Sequence, residues 1–434
     1  MSMKKRAALA QTNYADVVGI QVDYENVLFQ RLAGARGKRA GTAFDRFSPF
    51  GGRRKCCVAD NGAVNAFYGE SGYTEDGSAG QVMVYQPRFY YRVEPLVLAE
   101  QGAGPGSLLK KARYYVSGKP LPGFKLHPAF YREDGSPADH IFFSAYDASY
   151  YDASLGKMFV DGTDTDPAID LTNDRLCSLP QRKPITGTYK SLTRSSAEQL
   201  AGARGAGWHI ETIKICAAEQ LLMLVEYGAA NLQSALAQGI VRITDRDGVN
   251  CASLTGSCAP LGNGSGVASS TVNEQLGVTT VYSENGKTAV CYRGKENPWG
   301  QVWRYVQGIN VASADASAPA GVYVADDFAF DDHKKNGNYR CVGITLPESS
   351  GYLKYPGYAG GEFDWLFLPA AVGGSSTRPV GDYAFAGSDD SGDRIVAHGG
   401  RWMSGYYSGP FCYNFQREAA YSAYDYGCRL VYIP

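Results

Sequence analysis

The sequence has almost no net charge: 42 Lys and Arg stand against 43 Asp and Glu, a formal balance of −1. Without a field of one sign, a chain is poorly suited to holding phosphate backbones or acidic membrane surfaces, so nucleic acid is not an expected partner. No run approaches the roughly 18 apolar residues of a membrane span, so membrane insertion is not expected. The stretch MSMKKRAALAQTNYADVV is basic but lacks the apolar segment of a secretory signal, and no signal peptide is read there. The ten cysteines include no Cys-x-x-Cys pair and no histidine at zinc spacing, which argues against structural zinc and predicts mostly free, buried thiols. The histidines, His127, His140, His209, His333 and His398, stand singly and suggest no iron-type cluster. There is no Gly-x-Ser-x-Gly elbow, no phosphate-binding Gly-Lys-Ser/Thr loop and no repeat of roughly 20 to 50 residues. No metal or other cofactor is expected. Calcium has a candidate in the alternating carboxylates of DGTDTDPAID, Asp161–Asp170, which lack the central Gly and closing Glu of a helix-loop-helix site, while DFAFDDHKK, Asp327–Lys335, reads as a surface turn rather than a metal loop.

The chain does have 52 glycines and 31 tyrosines in 434 residues, a composition of turn-rich, strand-rich surfaces, and length enough for a sizeable core. Short β-favouring pieces at Val17–Gln21 and Val27–Leu32 predict a small β-rich module over residues 1–80. QVMVYQPRFYYR, residues 81–92, reads as one strand, Ala112–Ser117 as a second, and HIFFSAYDASYYD as a third apolar segment. From Thr193 the period changes. TRSSAEQLAGARGAG carries Ser and Thr for an N-cap and closes at Gly205–Gly207. Thr212 is placed to cap IKICAAEQLLMLVEYGAANL, whose Ile213, Cys216, Ala217, Gln220, Leu221, Leu224 and Val225 share one face and predict an amphipathic helix covering a sheet. Residues 244–290 read as long surface loops. Beyond Cys291 short strands with aromatic anchors return, ending in EFDWLFLP, Glu362–Pro369. Two helices flanked by many short strands predict an α+β domain over 81–434.

Four stretches, in order, resemble the C-type lectin fold of the subgroup shared by formylglycine-generating enzymes and the variable proteins of diversity-generating retroelements. HPAFYREDGSPADHIFFSAYDASYYD is similar to its opening strands, and GAGWHIETIKICAAEQLLMLVEYG to its helix after a Trp-containing turn. NPWGQVWRYVQGINV, Asn297–Val311, resembles its core strand, and HGGRWMSG with the closing GCRLVY resembles its Gly-Gly-x-Trp to Gly-x-Arg frame. The segment from Phe44 to Val93 is similar to phage and prophage tail proteins carrying such a domain. The resemblance implies an elaborated C-type lectin-like fold with insertions, preceded by an attachment module at 1–80. It also implies a receptor-binding tail protein of the virion, with a host cell-surface protein or glycan and other tail proteins as partners, and trimers as a common assembly. The enzyme branch implies two redox-active cysteines about five apart, whereas Cys412 and Cys428 are sixteen apart. No catalytic residue is therefore expected. A metal-dependent oxidase and a bacterial surface adhesin of the same fold are the alternatives.

The same resemblance places a ligand face between Trp402 and Gly427, within a variable region of about 400–428. There the sequence GYYSGPFCYNFQREAAYSAYDYG holds six tyrosines in 23 residues and shows neither a strand nor a helix period. Tyrosine supplies a large rigid area with a polar tip and two χ angles to freeze, and antibody loops combine it with Ser, Gly and Asn for the same reason. Such a face needs a rigid frame, or ordering entropy cancels its contacts. Gly399, Gly400 and buried Trp402 on one flank, with Gly427 and Arg429 on the other, are expected to supply it. Met403, Ser404, Tyr406, Tyr407, Tyr413, Asn414, Gln416, Arg417, Tyr421, Tyr424 and Tyr426 are expected mostly outward.

Overall fold

A computed structural model describes residues 16–158, 169–187, 191–244, 252–273, 279–316, 319–386 and 392–434. Its architecture is two large β-sheets with a helix buried between them, and three small sheets of two or three strands besides, among the described residues. From edge to edge, the main path of the large sheet runs Leu28–Ala33, Val17–Asp23, Ser107–Ser117, Gly351–Tyr358, Tyr383–Phe385, Gly409–Arg417, Arg394–Gly399, Trp303–Ala312, Gly321–Ala325 and Tyr339–Cys341. The second sheet runs Trp208–Ile210, Leu430–Tyr432, His140–Ser144, Gln81–Pro87, Arg54–Val58 and Val64–Phe67. The strands of residues 1–80 are built into both: Val17–Asp23 pairs antiparallel with Ser107–Ser117, and Arg54–Val58 with Gln81–Pro87.

The α+β expectation is corrected to a mainly β architecture. Among the described residues the α-helices are Arg194–Gly202, Ile213–Tyr227 and two of only four residues, Ser48–Gly51 and Leu232–Ala235. Both longer helices start where their caps predict. Thr193 and Ser196 form a capping box, Thr212 Oγ1 accepts from the Ile215 N–H at 3.3 Å, and left-handed Gly228 closes the second helix.

That second helix is not amphipathic. Every residue from Ile215 to Glu226 is buried, because its polar side chains find partners inside: Glu219 pairs with Arg53 at 2.6 Å and Glu226 with Arg293 at 2.7 Å. A face that reads as solvent-exposed is instead neutralised within the core. Around it, Val84 and Phe143 of the second sheet and Val116 of the large one join a single apolar cluster.

Three further expectations are revised. The stretch 81–92 breaks into two strands, Gln81–Pro87 and Tyr90–Glu100, because the chain leaves one sheet for the other at Arg88 and Phe89. EFDWLFLP is turn and irregular backbone up to Leu368, with Phe363, Trp365, Leu366, Phe367 and Leu368 all buried and none of the alternation of a half-exposed strand. Within 244–290, Ala252–Thr255 is buried, and Ala289–Tyr292 is the central strand of a small sheet between Gly266–Ala268 and Lys295–Glu296. Of the cysteines described, all are free and only Cys341 is exposed. No helix among the described residues is long and apolar enough to cross a membrane.

A candidate ligand-binding face

The frame around the C-terminal stretch is tightly fixed. Gly400 has φ +82°, and a Cβ there would stand 2.1 Å from Ser408 Oγ. A Cβ on Gly427 would meet the Ile185 carbonyl oxygen at 2.7 Å, so only glycine fits at either end without movement. Gly399 is left-handed as well, at φ +94°. Trp402 is 1% exposed and packs with Ile240, Ile243 and Val302. Arg429 lies fully inside, 3.0 Å from Asp147, which also holds Arg304 at 2.9 Å. The Arg429 guanidinium donates to the Asn297 carbonyl at 3.0 Å and to that of Glu296 as well, tying the closing segment to the core.

Between these flanks the chain is not patternless. Gly409–Arg417 is a nine-residue strand inside the large sheet, flanked by Arg394–Gly399 and Tyr383–Phe385. Successive side chains alternate. Phe411, Tyr413 and Phe415 enter the main core, Cys412 enters a second apolar cluster, and Asn414 and Gln416 line a cleft of about 320 Å³.

Trp303, Phe385, Arg401, Met403, Ser404, Tyr407, Arg417, Tyr421, Tyr424 and Asp425 complete the wall of this cleft. Of the expected outward residues, Met403, Tyr406, Tyr407, Gln416 and Tyr424 are exposed, whereas Ser404, Arg417 and Tyr421 are half-buried. Tyr406 is exposed but does not line the cleft. Tyr413 and Tyr426 are corrections, since both are buried. The Tyr413 hydroxyl accepts from Gln220 Nε2 of the long helix at 2.8 Å, and the strand register fixes that direction. Tyr426 stacks on Trp303 with ring centroids 6.1 Å apart, and its hydroxyl accepts from Arg417 Nε at 3.2 Å. Asn414 is 3% exposed yet reaches the cleft.

A run of touching rings joins the rim to the floor. Tyr407 meets Tyr383 at 4.4 Å and Phe385 at 5.9 Å, Phe385 meets Trp303 edge-on at 5.5 Å, and Tyr421 meets Tyr426 at 4.9 Å. Two guanidiniums sit on this wall. Arg401 pairs with Asp425, whose carboxyl is pushed up by burial against the pull of Arg401, and Arg417 lies 4.3 Å from the Tyr421 ring centroid.

Sequence reasoning missed Trp303, Phe385, Arg401 and Asp425 as wall residues. Trp303 and Phe385 arrive through parallel pairing with Tyr426 and Asn414, across intervals that no local pattern reveals. Asp425 lies inside the tyrosine-rich stretch and Arg401 just before it, both within the expected variable region of about 400–428, but as charged residues among tyrosines neither stands out as a contact.

Among the described residues one grouping carries metal-capable atoms: Glu211, Cys216 and His398 have ligand atoms within 4.8 Å of one another, all buried. His398 Nε2 is 3.0 Å from Glu211, whose other oxygen takes the Lys295 ammonium at 2.5 Å. Burial opposes ionisation of Glu211, but Lys295 and His398 hold its carboxyl well below the usual range, while burial lowers His398. With Arg53, Arg304 and Arg429 also nearby in the core, this group reads as a self-neutralising ion network; a dication there would be added beside existing cations. The calcium candidate Asp161–Asp170 lies mostly outside the described residues; Asp170 spends its Oδ1 on the Thr172 N–H at 2.9 Å.

No family model and no curated protein matches this chain. Among solved structures, a Major Tropism Determinant U1 variant matches at 13% identity and a TM-score of 0.28, covering 93% of this chain and 77% of that one. The P3c variant matches at 12% identity and 0.25, with the same coverage. A likeness of that degree fixes neither a shared fold nor a shared function.

Proposed function

We propose that this chain is a receptor-binding protein of a phage or prophage tail, acting without catalysis at the host cell surface through residues 403–426, which a retroelement diversifies. The observation that carries the reading is the partition of that segment. Its outward Met403, Tyr407, Gln416 and Tyr424 converge with Trp303 and Phe385 on one aromatic cleft, with Tyr406 exposed beside it, while Phe411, Tyr413 and Phe415 are locked into the core. Exposed tyrosine rims on a rigid sheet give contact area at low ordering cost. Host surface protein or glycan is the ligand class, and several copies in one tail, as in a trimer, raise avidity without new contacts.

Sequencing the locus tests the diversification. A near-copy of the codons for residues 400–432, differing mainly at adenines and lying beside a reverse transcriptase gene, is expected. A locus with neither removes that part of the reading. Host attachment unchanged in a triple Tyr406→Ser, Tyr407→Ser, Tyr424→Ser protein removes the receptor role itself.

A further inference from the structure

Two donors in the cleft are unspent. Asn414 is more than nine-tenths buried, and its Oδ1 accepts from the Gln416 N–H at 2.9 Å, but its Nδ2 takes no protein partner among the described residues. Arg417 is fixed at Nε by Tyr426 and laid over the Tyr421 ring, and its two Nη groups likewise take no protein partner among the described residues. The other two charges lining the cleft compensate each other, Arg401 being bound to Asp425, and neighbouring Glu418 lies 3.8 Å from Arg394. An oriented guanidinium with an unused fork matches a carboxylate in geometry and charge.

We propose that the cleft binds the carboxylate of an acidic sugar, held by Arg417 and Asn414, with the ring seated against the aromatic wall; this rests on the receptor reading above. The volume, about 320 Å³, is at the small end for ligand pockets and suits one monosaccharide unit. Tyr407, Tyr421 and Tyr424 offer hydroxyls and ring faces, and Gln416 and Ser404 offer further polar groups, as a ring with both C–H and O–H edges requires.

Saturation-transfer NMR on the whole chain, with galacturonate, N-acetylneuraminate, galactose and N-acetylglutamate as probes, tests the assignment. At least one of the two acidic sugars is expected to bind at least about ten-fold more tightly than galactose. Its binding should weaken with salt and fall by a similar factor in Arg417→Gln. Asn414→Asp, which keeps the size of the side chain and places a negative charge on the floor, is expected to abolish it and covers the case of Arg417→Gln failing to fold. The proposal is overturned if galactose binds as well as both acidic sugars, if N-acetylglutamate binds as tightly as the better of them, or if both variants bind like the parent. Acidic-sugar binding by a protein that attaches to no cell leaves this site standing and removes the receptor reading. Full cell attachment by both variants does the reverse.

Discussion

His127 is buried among the rings of Phe89, Tyr91, Phe130 and Trp365, its Nδ1 accepting from the Ala129 N–H at 3.3 Å and its Nε2 without a partner among the described residues. Burial, assisted by the Lys125 charge, pushes its pKa down to about 3. A base depressed in the folded state loses nothing above its unfolded pKa near 6.5. As pH falls from there towards 3, the unfolded chain takes up a proton that the folded one refuses, and stability drops. Between pH 7 and pH 5 this residue alone is expected to remove about 2 kcal/mol. Urea titrations of the parent and of His127→Asn, which retains a capping oxygen, measure it: the variant is expected to be less stable at pH 7 but flatter across that interval. An equal slope in both proteins rules the account out. Asp147 is the opposite case, an anion between two buried guanidiniums at 2.9 and 3.0 Å. Asp147→Ala leaves Arg304 and Arg429 uncompensated, and a loss of roughly 3 to 5 kcal/mol in the same titration is expected.

At the scale of elements, the strand Gly409–Arg417 makes the sharpest test, because neighbouring positions face different media. Tyr413→Ala opens a cavity against the long helix and is expected to cost roughly 3 to 5 kcal/mol, by analogy with other buried aromatic truncations. Gln416→Ala, three residues on and exposed, is expected to change stability by less than about 0.5 kcal/mol. Similar costs for both would mean that the register is wrong. This strand also shows where the sequence was hard to read. The inward Phe411, Tyr413 and Phe415 do repeat with a period of two, but tyrosines on every side hide it, since the same residue type serves as core, wall and rim. The starts of the two longer helices were legible because cap signals are local, as at Thr212; the end of the buried one was not, since the helical reading ran on to Leu232 whereas left-handed Gly228 stops it after Tyr227. Its burial on all sides was not legible either, because Glu219 and Glu226 are matched by Arg53 and Arg293, each at least 67 positions away in the chain. The α+β expectation failed for a related reason: many strands are short, and their pairing, unlike a helix cap, is set at long range.

For the molecule as a whole, the layout separates the residues that hold the fold from those of the proposed face. The rigid part, from Trp402 through the Asp147 network to Arg429, draws on both sheets, whereas Met403, Tyr406, Tyr407, Gln416 and Tyr424 stand at the surface. A protein with all five changed to Ser should therefore keep its fold. Each exposed substitution costs about 0.5 kcal/mol or less, with a larger share for Tyr407, which touches Tyr383 at 4.4 Å, so the sum is expected below about 3 kcal/mol. Gly400→Ala alone, which forces a Cβ against Ser408 from a left-handed backbone, is expected to destabilise about as much as the five together. Thermal unfolding and host attachment measured on both proteins give the contrast. The five-fold variant is expected to melt cooperatively and to have lost attachment, and Gly400→Ala to keep whatever attachment its remaining folded fraction supports. If the five-fold variant unfolds while Gly400→Ala is as stable as the parent, the surface residues are structural and no part of 403–426 is free to vary.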